Sequence, residues 1–185
     1  MEGRTDIQIR APRVKDATRL VIGPVRTVYA HLDAPYEGEA TKPGEGKYEL
    51  GLLIPKDAEE TVSALLAAET AALKEKFPKK PMNPRPLLRD GAEKGFEGYW
   101  LIVTKSRRKV ECFSSRRERL EPSEVYSGCW CCASLNIFGY DVTGNKGAGA
   151  GLNGVQKVAD DTPLGGGGCD ADDFESYGDQ GGDDW

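Results

Sequence analysis

The stretch Tyr126–Val158, YSGCWCCASLNIFGYDVTGNKGAGAGLNGVQKV, decides the fold class. Period two sorts its first half onto two faces of a long strand. Tyr126, Gly128, Trp130, Cys132, Ser134, Asn136, Phe138 and Tyr140 share one face. Val125, Cys129, Cys131, Ala133, Leu135 and Ile137 share the other and read as core. Asp141 to Gly147 then turns the chain, with Gly144-Asn145-Lys146-Gly147 suited to a hairpin because Asn and Gly tolerate positive φ. Ala148 to Val158 reads as the returning strand. A formal G-x-G-x-x-G lies at Gly149, Gly151 and Gly154, but a dinucleotide fingerprint needs a helix opening there, and VQKVADDTP offers none. The glycines suit close approach of a nucleic-acid backbone or a bulged edge strand equally well.

Upstream, LVIGPVRTVYAHL after Arg19 predicts two short extended pieces or one bent strand, broken at Gly23-Pro24. KYELGLLIP predicts a strand ending at Pro55, with Tyr48, Leu50 and Leu52 on one face. Asp57 is the expected cap of a helix through about Phe77, with Glu59 and Glu60 in its first turn and a stripe of Val62, Leu65, Leu66 and Leu73. Lys79 to Gly98 is a proline-bearing loop, Tyr99 to Thr104 a strand, and Lys109 to Phe113 its expected hairpin partner. Together these predict a mostly β chain with one inserted α-helix, an OB-fold-like β-barrel. Periodicity alone does not separate an OB-fold from other small barrels.

The net charge of −5 averages two unlike regions. Nine acidic residues and no Lys or Arg fall between Ala159 and Trp185, which leaves 21 acidic against all 25 basic residues in the rest. A body of +4 therefore carries a tail of −9, an asymmetry typical of interaction tails. The organisation expected is a flexible arm over 1–16, a binding domain over 17–160 and a disordered Gly- and Asp-rich tail over 161–185. No apolar run is long enough to cross a membrane, and the N-terminus lacks a signal-like stretch, so a cytoplasmic protein is expected. Cys131 and Cys132 are adjacent, without the two-residue gap usual between paired zinc ligands, so buried thiols are expected and neither metal nor cofactor is assigned. No catalytic constellation stands out, and the single His31 has no evident partner, so an enzyme is not expected.

Lys105 to Arg119, KSRRKVECFSSRRER, holds seven basic residues: Lys105, Arg107, Arg108, Lys109, Arg116, Arg117 and Arg119. Tyr99 and Trp100 precede this segment, and Tyr126, Trp130 and Phe138 follow it. Cations interleaved with aromatics suit a single strand, whose phosphates need charge and whose exposed bases need flat partners. Lys146 and Lys157 are further phosphate candidates. In the tail, Asp172, Asp173, Phe174, Asp183, Asp184 and Trp185 are the residues expected to dock a protein partner or to compete for the basic groove. An acidic-tailed protein-interaction module, mimicking DNA toward a host enzyme, is the alternative.

Several motifs resemble those of a phage single-stranded DNA-binding protein family with an OB-fold. They are RPLLRDG at Arg85–Gly91, GFEGYWLIVTKS at Gly95–Ser106, YSGC at Tyr126–Cys129, FGYDVTGNKGAGAGLNGVQKV at Phe138–Val158, and DADDF at Asp170–Phe174. VRTVYAHLDAPY and KYELGLLIPKDA also fit, so the resemblance covers most of the chain. It implies sequence-independent binding of single-stranded DNA in phage replication, recombination or repair; replication or recombination proteins are the partners expected of the acidic tail from its charge. The cysteine-rich WCCA and the tail ending in Trp185 depart from the pattern.

Overall fold

The computed structural model describes residues 3–165. Strands β1 (Arg13–Val14), β2 (Arg19–Tyr36) and β3 (Lys47–Pro55) precede the helix α1 (Glu59–Lys76). Strands β4 (Arg89–Asp90), β5 (Tyr99–Ser106), β6 (Glu111–Phe113), β7 (Trp130–Val142) and β8 (Asn145–Ala159) follow. Five of them close a barrel in the order β5-β3-β2-β7-β8, sealed by the parallel pair Thr104↔Ala150 and Lys105↔Gly151. Numbered along the chain, the barrel strands run first-second-third-fifth-fourth, the Greek-key order of an OB-fold. The helix leaves β3 and packs across β7 and β8.

Alternation builds the core. Leu50, Leu52 and Ile54 of β3, Ile102 of β5, and Cys131, Ala133, Leu135 and Ile137 of β7 all point inward and are buried. The inward face read from the sequence is thus the face the barrel uses. The break at Gly23-Pro24 is a bend within one strand, with a register shift between Ile22 and Val25. Thr27 and Thr104, both fully buried, donate their hydroxyls to the Tyr126 and Leu50 carbonyls at 2.8 Å. Those bonds offset the cost of burying a hydroxyl.

The helix departs from expectation at both its cap and its stripe. Ala58 is the N-cap with no side-chain bond, and Asp57 contributes only its carbonyl, to the Glu59 N–H. The buried positions are Thr61, Leu65, Ala68 and Ala72, whereas Leu66 stays exposed. Small side chains let the helix lie close on the sheet, which outweighs the hydropathy of Leu66. A second correction concerns β6, which does not form a hairpin with β5. It pairs in parallel with β8, Glu111↔Gly154 to Phe113↔Gln156, so β5 and β6 run one after the other along the same strand and Arg107–Lys109 bulge outward between them.

Both ends of the described chain are fastened to the barrel at one place. Arg10 N–H donates to the Gly23 carbonyl at 3.0 Å and β1 pairs with β2, so this part of the N-terminal arm lies along the body. Asp161 gathers the Arg4 and Thr162 backbone N–H groups at 2.8 and 2.7 Å and the Trp130 indole N–H at 2.8 Å. It lies 3.6 Å from buried Arg26, whose guanidinium also donates to the Gly128 and Thr162 carbonyls. Leu164 N–H donates to the Ser127 carbonyl at 2.8 Å, and the Leu164 side chain joins a small cluster of Val28, Leu53 and Leu101. Gly128, at φ 113°, admits this crossing because a Cβ there would lie 2.9 Å from Leu164 N. The clasp therefore extends the bonded body past Asp160 to Leu164.

Burial works to raise the Asp161 carboxyl, but its three N–H donors and Arg26 outweigh it and hold the group at about 2. A carboxyl depressed on folding stabilises above its unfolded value of about 3.9, and that contribution fades as pH falls from about 4 toward 2. Asp161→Ala should lower stability at pH 7 by about 3 kcal/mol in denaturant melts. The gap from wild type should narrow between about pH 4 and 2; a constant gap would contradict the clasp.

Candidate nucleic-acid interface

The outer faces of β3, β5, β7 and β8 form an open groove of about 660 Å³. Lys47, Arg85, Arg89, Lys105 and Arg107 supply its cations, and Phe138 and Tyr140 its aromatic surface. A second hollow of about 620 Å³ continues it, sharing Lys47, Lys105 and Arg107 and walled by the loop between β2 and β3. The β2–β3 loop thus flanks one side, and the tight β7–β8 turn at Thr143-Gly144 the other. Glu45 and Glu49 are the acidic residues lining the second hollow, and Glu49 pairs with Lys105 at 2.8 Å.

The floor of the groove explains the glycines of β8. Ala148, Ala150 and Leu152 point into the barrel, while Gly147, Gly149 and Gly151 pair with Tyr140, Phe138 and Asn136 on the outer face. A Cβ at Gly149 would lie 2.9 Å from the Phe138 ring, so the ring lies across bare backbone. Pairing an aromatic with a cross-strand glycine in this way keeps the ring low against the sheet. Phe138 is nevertheless 44 % exposed, as a stacking surface requires. β8 pairs on both sides, so the glycines do not mark an edge strand.

The structure divides the residues nominated from sequence. Lys105, Arg107 and Phe138 line the groove. Arg108 and Lys109 are exposed on the same bulge but do not line it. Lys146 stands beside the groove, its carbonyl accepting from Arg85 N–H at 2.8 Å and its ammonium 5.5 Å from the Phe77 ring centre. Arg116 and Arg117 are exposed at the far end of β8, where the Gln156 amide donates to the Ser114 and Ser115 carbonyls. Arg119 pairs with Glu111.

Four aromatics of the original set lie elsewhere. Trp100 packs against the main core under the Lys56 ammonium, 4.8 Å from its ring centre. Tyr99 packs with Phe96 on the small outer cluster. Tyr126 donates its hydroxyl to Asp160 at 2.9 Å and lies 4.9 Å beneath Lys157, which itself reaches Asp160 at 2.7 Å. Trp130 donates to Asp161. Tyr126, Trp130 and Lys157 thus take part in the clasp and do not line the groove. Lys47, Arg85, Arg89 and Tyr140 all lie within motifs already singled out, but nothing local to those motifs marks them as neighbours in a groove. Asp172, Asp173, Phe174, Asp183, Asp184 and Trp185 lie outside the described residues.

Cys112, Cys129 and Cys131 are buried free thiols, and Cys132 is half-buried on the outer face. Among the described residues, no group of three or more His, Cys, Asp or Glu side chains is arranged to hold a metal ion. No described helix is long and apolar enough to cross a membrane.

Comparison with known proteins agrees with this fold and gives the family. Residues 18–184 match the family model described as Enterobacter phage Enc34, ssDNA-binding protein. Protein p50 of Acyrthosiphon pisum secondary endosymbiont phage 1 is 30% identical over 173 residues, 85% of this chain and 92% of that one. The single-stranded DNA-binding protein of bacteriophage Enc34, solved in complex with ssDNA, superposes with a TM-score of 0.70 at 26% identity, covering 88% of this chain and 100% of that one. Gp2.5, a single-stranded DNA-binding protein of bacteriophage T7, shares the fold at 18% identity and a TM-score of 0.57, covering 86% and 98%. The family model and both solved structures are described as single-stranded DNA-binding proteins, which are binders rather than enzymes. The chain belongs to the family of phage single-stranded DNA-binding proteins that the Enc34 protein represents.

Proposed function

We propose that this protein coats single-stranded DNA during phage replication, recombination or repair, and that the strand lies in the groove between the β2–β3 loop and the β7–β8 turn. The observation that carries this reading is the convergence of five cations on the exposed Phe138 ring, from segments far apart in sequence. OB-folds bind oligonucleotides on the corresponding strands and loops, covering about 4–16 nucleotides each. Phosphates pair with Lys47, Arg85, Arg89, Lys105 and Arg107, and a base stacks on Phe138. Stacking tolerates any base because each has a π-face, so binding is largely independent of sequence.

The acidic tail acts as a tethered competitor and as a dock for replication or recombination proteins. Asp160 and Asp161 are held by the clasp, so the competing charge is the seven acidic residues from Asp170 to Asp184. The clasp lies about 30 Å along β8 from Gly149. The 20 residues after Gly165 reach at most about 70 Å when extended, enough to span that distance. Bound DNA displaces the acidic segment and frees Phe174 and Trp185 for a basic pocket on a partner.

The groove predicts a slope of log affinity against log salt of about −3.5, at roughly −0.7 per phosphate for a single strand. Arg107→Ala should flatten that slope by about 0.7, whereas Arg116→Ala with Arg117→Ala should leave it in place. Equal flattening by both would move the site to the far end of β8. Phe138→Ala should weaken binding by about 1–3 kcal/mol without a change of slope. Gly149→Ala, which lifts the ring, should weaken binding in the same direction. Trp130→Phe should lower the melting temperature and spare affinity, as fluorescence anisotropy and thermal melts would read.

Truncation after Gly165 keeps the clasp and removes the competing acids. It should tighten binding at low salt and have little effect at high salt; unchanged low-salt affinity would count against self-competition.

A further inference from the structure

One register row crosses the outer face of the barrel: His31 pairs with Glu49, Glu49 with Lys105, and Lys105 with Gly151. The Tyr36 ring stacks on His31, with centroids 4.4 Å apart and planes 23° apart, and remains 45 % exposed. Tyr36, Glu49 and Lys105 line the same hollow of about 620 Å³, on the β2–β3 loop side of the groove. Glu45, Lys47 and Arg107 line it as well, so it offers a flat exposed ring beside the Glu49–Lys105 pair, and it has room for a nucleoside.

Glu49 is the unexpected member of this set. Its side chain is only 13 % exposed, and Oε1 pairs with Lys105 Nζ at 2.8 Å. A carboxylate repels phosphate, so the backbone of a bound strand must run along Lys47 and Arg107 and leave a base beside Glu49. Among the four DNA bases, guanine alone presents two adjacent donors, N1–H and the N2 amine, with the O6 acceptor next to them. The donors match a carboxylate, and O6 matches the Lys105 ammonium.

We propose that this hollow seats one nucleobase on Tyr36, and that Glu49 with Lys105 gives the otherwise sequence-tolerant groove a preference for guanine. The inference rests on the groove reading but goes beyond it, because stacking and phosphate pairing alone do not distinguish guanine from inosine. Inosine keeps the purine ring, N1–H and O6, and lacks only the N2 amine.

The test uses the full chain and three labelled oligonucleotides of equal length: all-thymidine, alternating thymidine–guanosine and alternating thymidine–inosine. The guanosine strand should bind about fivefold more tightly than the inosine strand, the lower end of what a bidentate base contact is worth. Glu49→Gln, which offers one acceptor and one donor, should bring that ratio close to one. Tyr36→Ala should also collapse the ratio, while weakening binding to all three strands. Equal affinity of the wild-type protein for the guanosine and inosine strands would overturn the proposal, and that comparison needs no variant to fold. A ratio that survives Glu49→Gln would overturn the role of Glu49. Failure of the groove itself looks different: none of the three strands would respond to Arg107→Ala or Phe138→Ala.

Discussion

The alternation of alanine and glycine along β8 is the constraint on which both the barrel and the groove depend. Ala148 and Ala150 are small enough to face the barrel interior beside β5 and under the helix. Gly147 and Gly149 leave the outer face bare, so that Tyr140 and Phe138 cross over backbone instead of standing clear of the sheet. A larger inward residue would press on α1 or β5, and a larger outward one would lift the rings. One strand thus carries the packing of the core on one side and the shape of the binding face on the other.

The clasp separates two uses of aromatic and charged residues. Trp130, Tyr126 and Lys157 are hydrogen-bonded or ion-paired with Asp160 and Asp161, which removes them from solvent-facing work. Phe138 and Tyr36 keep nearly half their surface exposed. The Gly-rich segment begins where the clasp ends, so its acids start at a fixed point on the barrel while most of the cations that can attract them lie toward the other end of β8. In the self-competition proposed above, charge and reach would set the release of the tail.

Much of the fold was legible because it is local. Period two identified the inward face of β7; the β7–β8 hairpin forms where it was expected, but its turn is Thr143-Gly144, and Asn145, Lys146 and Gly147, read as turn residues, already pair with β7. The helix stripe was misread because hydropathy favours Leu66, whereas the close approach to β7 selects Ala68 and Ala72. The parallel partnership of β6 with β8 joins residues some forty positions apart and leaves no periodic trace. The basic segment 105–119 looked like one site, yet the end of β5 places its first half beside the middle of β8 and the turn after β6 places its second half toward the end of β8. Lys47, Arg85 and Arg89 carry no local signal of membership in a groove; the closing of the barrel brings them together.

The most direct test of this account is an amide NMR titration of the full chain with unlabelled oligothymidylate, read residue by residue. The account predicts that the backbone signals of Lys47, Lys105, Arg107, Phe138 and Gly149 move together, while the Trp130 indole and the Arg116 and Arg117 amides stay in place. Movement centred on Trp130, Arg116 and Arg117, with Phe138 and Gly149 silent, would contradict it.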